Sequence, residues 1–140
     1  MLRKLPSRKK VSKNPSSTRQ KKLKLIREIY KKYPKIKKKI KNIKDIDKRV
    51  YYAKVWYITE SQPIHTLEHF ELRSFWGYHL DHICSISEGY KNKISPEIIG
   101  NIKNLQFIPW DENYKKGSKV EKNVLESVIK SNRVRRKKLI

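Results

Sequence analysis

Several things are scarce in this chain. Its 140 residues include one cysteine, Cys84, one methionine, four glycines, and 13 acidic side chains against 36 Lys and Arg. A single cysteine excludes an intramolecular disulfide and the cysteine-rich zinc clusters that can knit a small domain together. It agrees with a reducing compartment, and a cytoplasmic protein is expected. Long apolar runs are missing too. The densest, "VYYA" and "VWYI", are far too short to span a bilayer. The N-terminal "MLRKLPSRKKVSK" is cationic but has no apolar centre of the kind a signal peptide carries. A soluble, non-exported chain of one ordinary domain is the reading, and no internal repeat is visible.

The shortage of negative charge is uneven. Residues 1–50 hold 21 Lys and Arg against 3 Asp and Glu, whereas residues 51–140 hold 15 against 10. The first third is a cationic appendage on a more balanced body. Such a segment repels itself and seeks a polyanion. Nucleic acid is the first choice of partner and an anionic membrane surface the second. Residues 1–20, with two prolines, several serines and few apolar side chains, read as a disordered basic arm. In "KKLKLIREIYKKY" Leu23, Ile26 and Tyr30 share a helical face, and Pro34 should end that helix. In "KIKKKIKNIKDI" Ile36, Ile40, Ile43 and Ile46 repeat at helical steps opposite an all-lysine face. That pattern fits a solvated helix with a thin apolar stripe, a helix lying on DNA phosphates, or one on a membrane surface.

Further along, "KRVYYAKVWYIT" reads as a helix with Asp47 as its N-cap. "IHTLEHFELRSF" reads as a second, short helix, and Trp76 and Gly77 turn the chain. "YHLDHICSI" alternates Leu80, His82, Cys84 and Ile86 with His79, Asp81, Ile83 and Ser85, as a strand does. "SEGYKNK" is a loop. "SPEIIG" is a one-turn helix, and "NLQFIPW" is a second strand. Asp111 should cap the helix "ENYKK", which Gly117 ends. Ser118 and Glu121 should form a capping box for a last helix to about Lys130, followed by a basic tail. Leu105, Phe107, Ile108 and Trp110 are assigned to the core, with Trp110 also placed to stack on a base. His65 and His69 are assigned as ordinary helix residues, and Cys84 as a small core residue.

The residues that carry chemistry come in order: Asp81-His82 on the first strand, Asn104 at the start of the second, Asn113 in the helix after it. Over "YHLDHICSISEGY", "ISPEIIGNIKNLQFIPW" and "DENYKKGSK" the chain resembles the HNH endonucleases, most closely the phage-type homing enzymes. The resemblance is dense over 78–119, weaker over 48–77, and does not reach 1–45. It implies an α+β chain with a ββα-metal core at 78–119. A basic arm would occupy 1–45, a helical lead-in 46–77, and a helix with a basic tail 120–140. It implies that His82 is the general base, that Asp81 is a metal ligand, and that Asn104 props the loop between the strands. Asn113 stands where the motif often has histidine. Asp81 and Asn113 make an all-oxygen pair, which suits one Mg²⁺ or Mn²⁺ better than Zn²⁺. Lys115, Lys116 and Lys119 are candidate phosphate contacts, and His79 is either a DNA contact or a packed surface residue. The expectation is a monomeric, metal-dependent endonuclease acting on double-stranded DNA, without a membrane or protein partner. The alternatives are a non-catalytic nucleic-acid-binding protein on the same scaffold and a phage packaging or restriction nuclease.

Overall fold

Pro34 divides the basic N-terminal third into two helices. In the computed structural model, which describes residues 4–139 and the side chains of 17–138, α1 runs Lys4–Lys32 and α2 Lys35–Ile40. The segment expected to be disordered is therefore helical from Lys4, while residues 1–3 of it lie outside the described residues. Lys, Arg, Gln and Leu are good helix formers. Their propensity outweighs the prolines, serines and scarcity of apolar side chains on which the expectation rested, with Pro6 and Pro15 both inside the helix. α3, Ile46–Glu60, starts one residue before the expected cap, Asp47, which lies in its first turn. Asp45 is the residue that caps it, accepting the Lys48 amide at 3.1 Å.

The chain divides into two compact units, Met1–Ala53 and Lys54–Ile140, and the division falls inside α3. In the first unit the isoleucine stripe is core and not a thin solvated edge. Ile26, Ile29, Ile36 and Ile40 are all buried, as is Ala53. Lys22 of α1 forms an ion pair with Asp47 of α3. Arg49 Nε donates to the Ile43 carbonyl at 2.7 Å. Burial raises the pKa of the Tyr30 phenol, and the positive charge of Arg49 acts in the opposite direction. Among the described residues no helix is long and apolar enough to cross a membrane.

The second unit is built on a two-stranded antiparallel sheet, β1 (Tyr78–His82) and β2 (Leu105–Pro109). Before β1 lie two 3₁₀ turns, Ile64–Thr66 and Phe70–Leu72, where one helix was expected. His69 interrupts that helix with a left-handed backbone, φ 69°. The strand expected to reach Ile86 stops at His82, because Ser85 turns the chain into α4 (Ile86–Lys91) by accepting the Glu88 amide at 3.2 Å. Most of the expected loop is thus helix. α5 (Pro96–Ile99) follows, then β2, then α6 (Trp110–Lys116), in which Asp111 sits in the first turn and is not the cap. Gly117, at φ 56°, ends α6 with a backbone that disfavours any side chain. The proposed capping box does not cap α7 (Lys122–Leu139), whose first residue lies beyond Glu121. The Ser118 carbonyl instead accepts the Ser85 hydroxyl at 2.9 Å. α7 also takes in most of the basic tail.

The class is α+β, a small sheet among helices. A two-stranded ribbon is marginal alone. Here its inward side chains, Leu105 and Phe107, join Val55, Ile64, Cys84, Ile94 and Ile99 in a common buried core. Gly100 lets α3 approach: a Cβ there would stand 2.9 Å from the Val55 carbonyl.

Replacing Ile40, which is 1% exposed, with alanine should cost about 2–5 kcal/mol. Replacing the neighbouring exposed Lys38 should cost less than about 0.5 kcal/mol. Urea denaturation followed by circular dichroism measures both. Equal, small effects would return the stripe to a solvated role.

Candidate functional site

The pairing register decides which side chains meet. Asp81 lies opposite Gln106 and His82 opposite Leu105. Successive residues of a strand point to opposite faces. His79, Asp81, Gln106 and Ile108 therefore share one face, and Leu80, His82, Leu105 and Phe107 share the other.

α6 crosses the first face. Asn113 Nδ2 donates to His79 Nδ1 at 3.1 Å, and Lys116 Nζ pairs with Asp81 Oδ1 at 3.0 Å. Three residues of helix rise about 4.5 Å and two of strand about 6.6 Å. One helical turn thus roughly matches the two strand positions below it. Asp81 is only 6% exposed. Its other oxygen, Oδ2, accepts from Gln106 Nε2 at 2.9 Å. Lys116 also donates to the His82 carbonyl at 3.0 Å. Its charge is turned inward, unlike Lys115 and Lys119, which are exposed. Asn113 meets His79, and its carboxamide makes no hydrogen bond to Asp81 among those observed.

His79 has both ring nitrogens engaged. The Phe75 carbonyl can only accept, so Nε2 carries the proton and donates to it at 2.7 Å. Nδ1 is then the acceptor for Asn113. This fixes the Asn113 amide so that Nδ2 faces the ring and Oδ1 faces away. The ring therefore links the Phe75 carbonyl to the Asn113 carboxamide.

His82 is on the second face, also 6% exposed. Its Nε2 lies 2.9 Å from Thr59 Oγ1, and that hydroxyl lies 2.8 Å from the Val55 carbonyl. A hydroxyl has one proton, and the carbonyl takes it. His82 Nε2 must therefore donate to Thr59, which places the basic lone pair of the neutral ring on Nδ1. Trp56 meets the ring edge to face, with centroids 4.9 Å apart. Asn104 holds the connection between the strands. Its Oδ1 accepts the Cys84 amide at 2.8 Å, and its Nδ2 donates to the carbonyls of Cys84 (3.0 Å) and Ile99 (2.7 Å). Beside it the Cys84 thiol is fully buried, and burial first, then the charge of Glu88, push its pKa up to about 11 against the pull of Lys116.

Asp81, His82 and Lys116 are thus brought to one end of the hairpin, Asn113 is held one helical turn from Lys116, and Asn104 stands behind them. Three participants escape a reading of the sequence: Thr59, Trp56 and Gln106. Gln106 follows from the register once the strands are paired. Thr59 and Trp56 lie in an apolar block more than twenty residues upstream, and nothing local marks them as partners of His82.

Thr59→Val keeps the shape and removes the hydroxyl. It should destabilise the protein by about 1–3 kcal/mol and release the tautomer of His82, so that ¹⁵N chemical shifts of the imidazole report both forms. A ring that stays protonated on Nε2 alone would show that Thr59 does not set the tautomer. Comparisons with protein-family models, with curated proteins and with solved structures gave no match, so a functional reading rests on the chemistry of these residues.

Proposed function

We propose that this protein is a metal-dependent endonuclease that hydrolyses phosphodiester bonds of double-stranded DNA, with an HNH-type ββα-metal site formed by β1, β2 and α6. The observation that carries the reading is the relation of His82 to Asp81. They are consecutive residues that end β1 on opposite faces, the imidazole oriented by Thr59 and the carboxylate buried beneath α6. In this reading Nδ1 of neutral His82 takes a proton from the attacking water. The water oxygen bonds to phosphorus, and the bond from phosphorus to the 3′ oxygen breaks. Asn104 keeps His82 in place by fixing the chain that leaves β1.

The donor set fits a hard divalent ion, Mg²⁺ or Mn²⁺. Asp81 offers a buried carboxylate that already attracts a cation, the Lys116 ammonium. Asn113 offers an amide oxygen, because its nitrogen is committed to His79. Among the described residues no three His, Cys, Asp or Glu side chains converge. Phosphate oxygens and water would therefore complete the shell, as is usual for Mg²⁺. When bound, the ion supplies charge stabilisation to the phosphate and the leaving oxygen. Lys116 would then be released from Asp81 and become available, with the exposed Lys115 and Lys119, for phosphate contacts. Phage homing is the setting suggested by the resemblance, and the cytoplasm of a host cell is the location that goes with it. One copy of the site cuts one strand per engagement, so a monomer would nick.

One observation favours a second reading, a non-catalytic DNA-binding protein. Asp81, satisfied by Lys116 and Gln106, is also what a structural carboxylate looks like. Supercoiled plasmid separates the two. With Mg²⁺ or Mn²⁺ the protein should give nicked circles, and EDTA should prevent this. His82→Ala should slow cleavage by about 10²–10⁴-fold and leave DNA affinity in Ca²⁺ within a few-fold. Asp81→Ala should abolish cleavage, with no rescue at higher pH. No cleavage by the intact protein in either metal would favour the binder, and near-normal cleavage by the His82 variant would remove that residue from the mechanism.

A further inference from the structure

The segment Ser74–Gly77, "SFWG", is a tight turn closed by a hydrogen bond from the Gly77 amide to the Ser74 carbonyl at 3.2 Å. Turn tips of this kind usually carry small polar residues. Here the two central positions are Phe75 and Trp76, which are 74% and 68% exposed. The turn is not loose. The Ser74 amide donates to the Tyr78 carbonyl at 3.2 Å, and the Trp110 amide to the Gly77 carbonyl at 2.8 Å. A Cβ on Gly77 would lie 2.5 Å from the Leu72 carbonyl, so the turn admits no bulk at that position. Trp76 meets Phe75 at 4.8 Å and Trp110 at 5.0 Å, in both cases edge to face. Tyr114, on α6, is 84% exposed. A rigid support thus holds a group of large aromatic side chains in water, at a cost that folding alone does not recover.

The patch is joined to the candidate site. His79 Nε2 donates to the Phe75 carbonyl, and the same ring accepts from Asn113. Formal net charge is +23, and the exposed cations Lys115 and Lys119 lie on and just after α6. The partner suited to exposed aromatic faces on so cationic a chain is a nucleic-acid strand whose bases are out of the stack. Phosphates neutralise the lysines, and the π-faces of the bases cover the rings. We propose that Phe75 and Trp76 form a stacking platform for an unpaired DNA base next to the cleavage site, so that the protein prefers locally unpaired DNA to a perfect duplex. This rests on the nuclease reading for the identity of the polymer but not for the contact.

The experiment is equilibrium binding in EDTA, where no cleavage occurs. Three fluorescent DNAs of equal length are compared: a perfect duplex, the same duplex with a short internal bubble, and the bubble with abasic sites in place of its unpaired bases. The intact protein should bind the bubble about 10-fold tighter than the duplex or the abasic form, since one stacked base contributes on that order. Phe75→Ser with Trp76→Ser should bring all three to one affinity with an unchanged melting temperature, and Trp76→Tyr should keep most of the preference. The intact protein binding all three equally would overturn the proposal and leave a protein partner as the occupant of the patch. A uniform loss of affinity on serine substitution would overturn it as well, by making the turn a support of the fold. His82→Ala should retain the bubble preference. That preference without plasmid cleavage by the intact protein would sink the nuclease reading alone.

Discussion

Three hydrogen bonds from one carboxamide hold the second unit in its arrangement. The connection from β1 to β2 passes through α4 and α5, and closing such a loop costs entropy that a five-residue strand pair cannot easily offset. Asn104 ties Cys84 at the loop's beginning and Ile99 near its end, while its own main-chain carbonyl accepts the Ile83 amide at 2.8 Å. Gln62, just beyond the end of α3, secures the same loop, donating to the Gly100 carbonyl at 2.6 Å and accepting the Ile102 amide at 2.9 Å. With the loop closed, the register is set, and with the register the choice of faces for Asp81 and His82 follows. Asn104 needs no part in proton transfer to be indispensable.

Placing a carboxylate and an imidazole on opposite faces keeps their electrostatics apart. His82 meets Thr59 and, edge to face, Trp56, and the Thr59 hydroxyl holds the ring in one tautomer. Asp81 faces Lys116 and Gln106. Leaving a buried carboxylate unpaired costs several kcal/mol, so a cation beside Asp81 offsets its burial. The Lys116 ammonium serves, and it reaches the His82 carbonyl from the same position. A divalent ion and a phosphate would satisfy Asp81 and Lys116 separately. In the proposed nuclease that exchange would cost little only if both arrived together, and the site would stay quiet until substrate is present.

Much of this was legible in the sequence, and the failures share a cause. Pro34, the α5 turn, both strands and Gly117 were found from local chemistry, because backbone preference at those points is decided by one or two residues. β1 was read too long because the alternation of Cys84 and Ile86 continues past the point where Ser85 caps α4. The isoleucine stripe was undervalued because lysine-rich neighbours lower mean hydropathy, although burial depends on the partner face and not on the average. Thr59 and Trp56 could not be tied to His82, since their contact exists only after α3 packs on the hairpin. Lys116 was placed at the site by its neighbourhood to Asn113. Its inward turn toward Asp81 is set by which way the helix faces, and sequence order does not specify that.

The charge distribution limits what the molecule could recognise. Lysine contacts to phosphate give strong, salt-sensitive affinity and carry no base information. Exposed arginine, asparagine and glutamine, the side chains that read base edges best, are few on the elements that surround Asp81. Selection would then come from the shape and deformability of the DNA, with unstacking as the step that differs most between sites. In the proposed function, the turn carrying Phe75 and Trp76, tied through His79 to the helix that holds Asn113, would put the sensing of that step a few residues from the carboxylate. Because His79 has both nitrogens engaged, any movement of the turn must either break its bond to Phe75 or move Asn113. In the proposed function the same ring would link what the aromatic patch contacts to where the amide oxygen points.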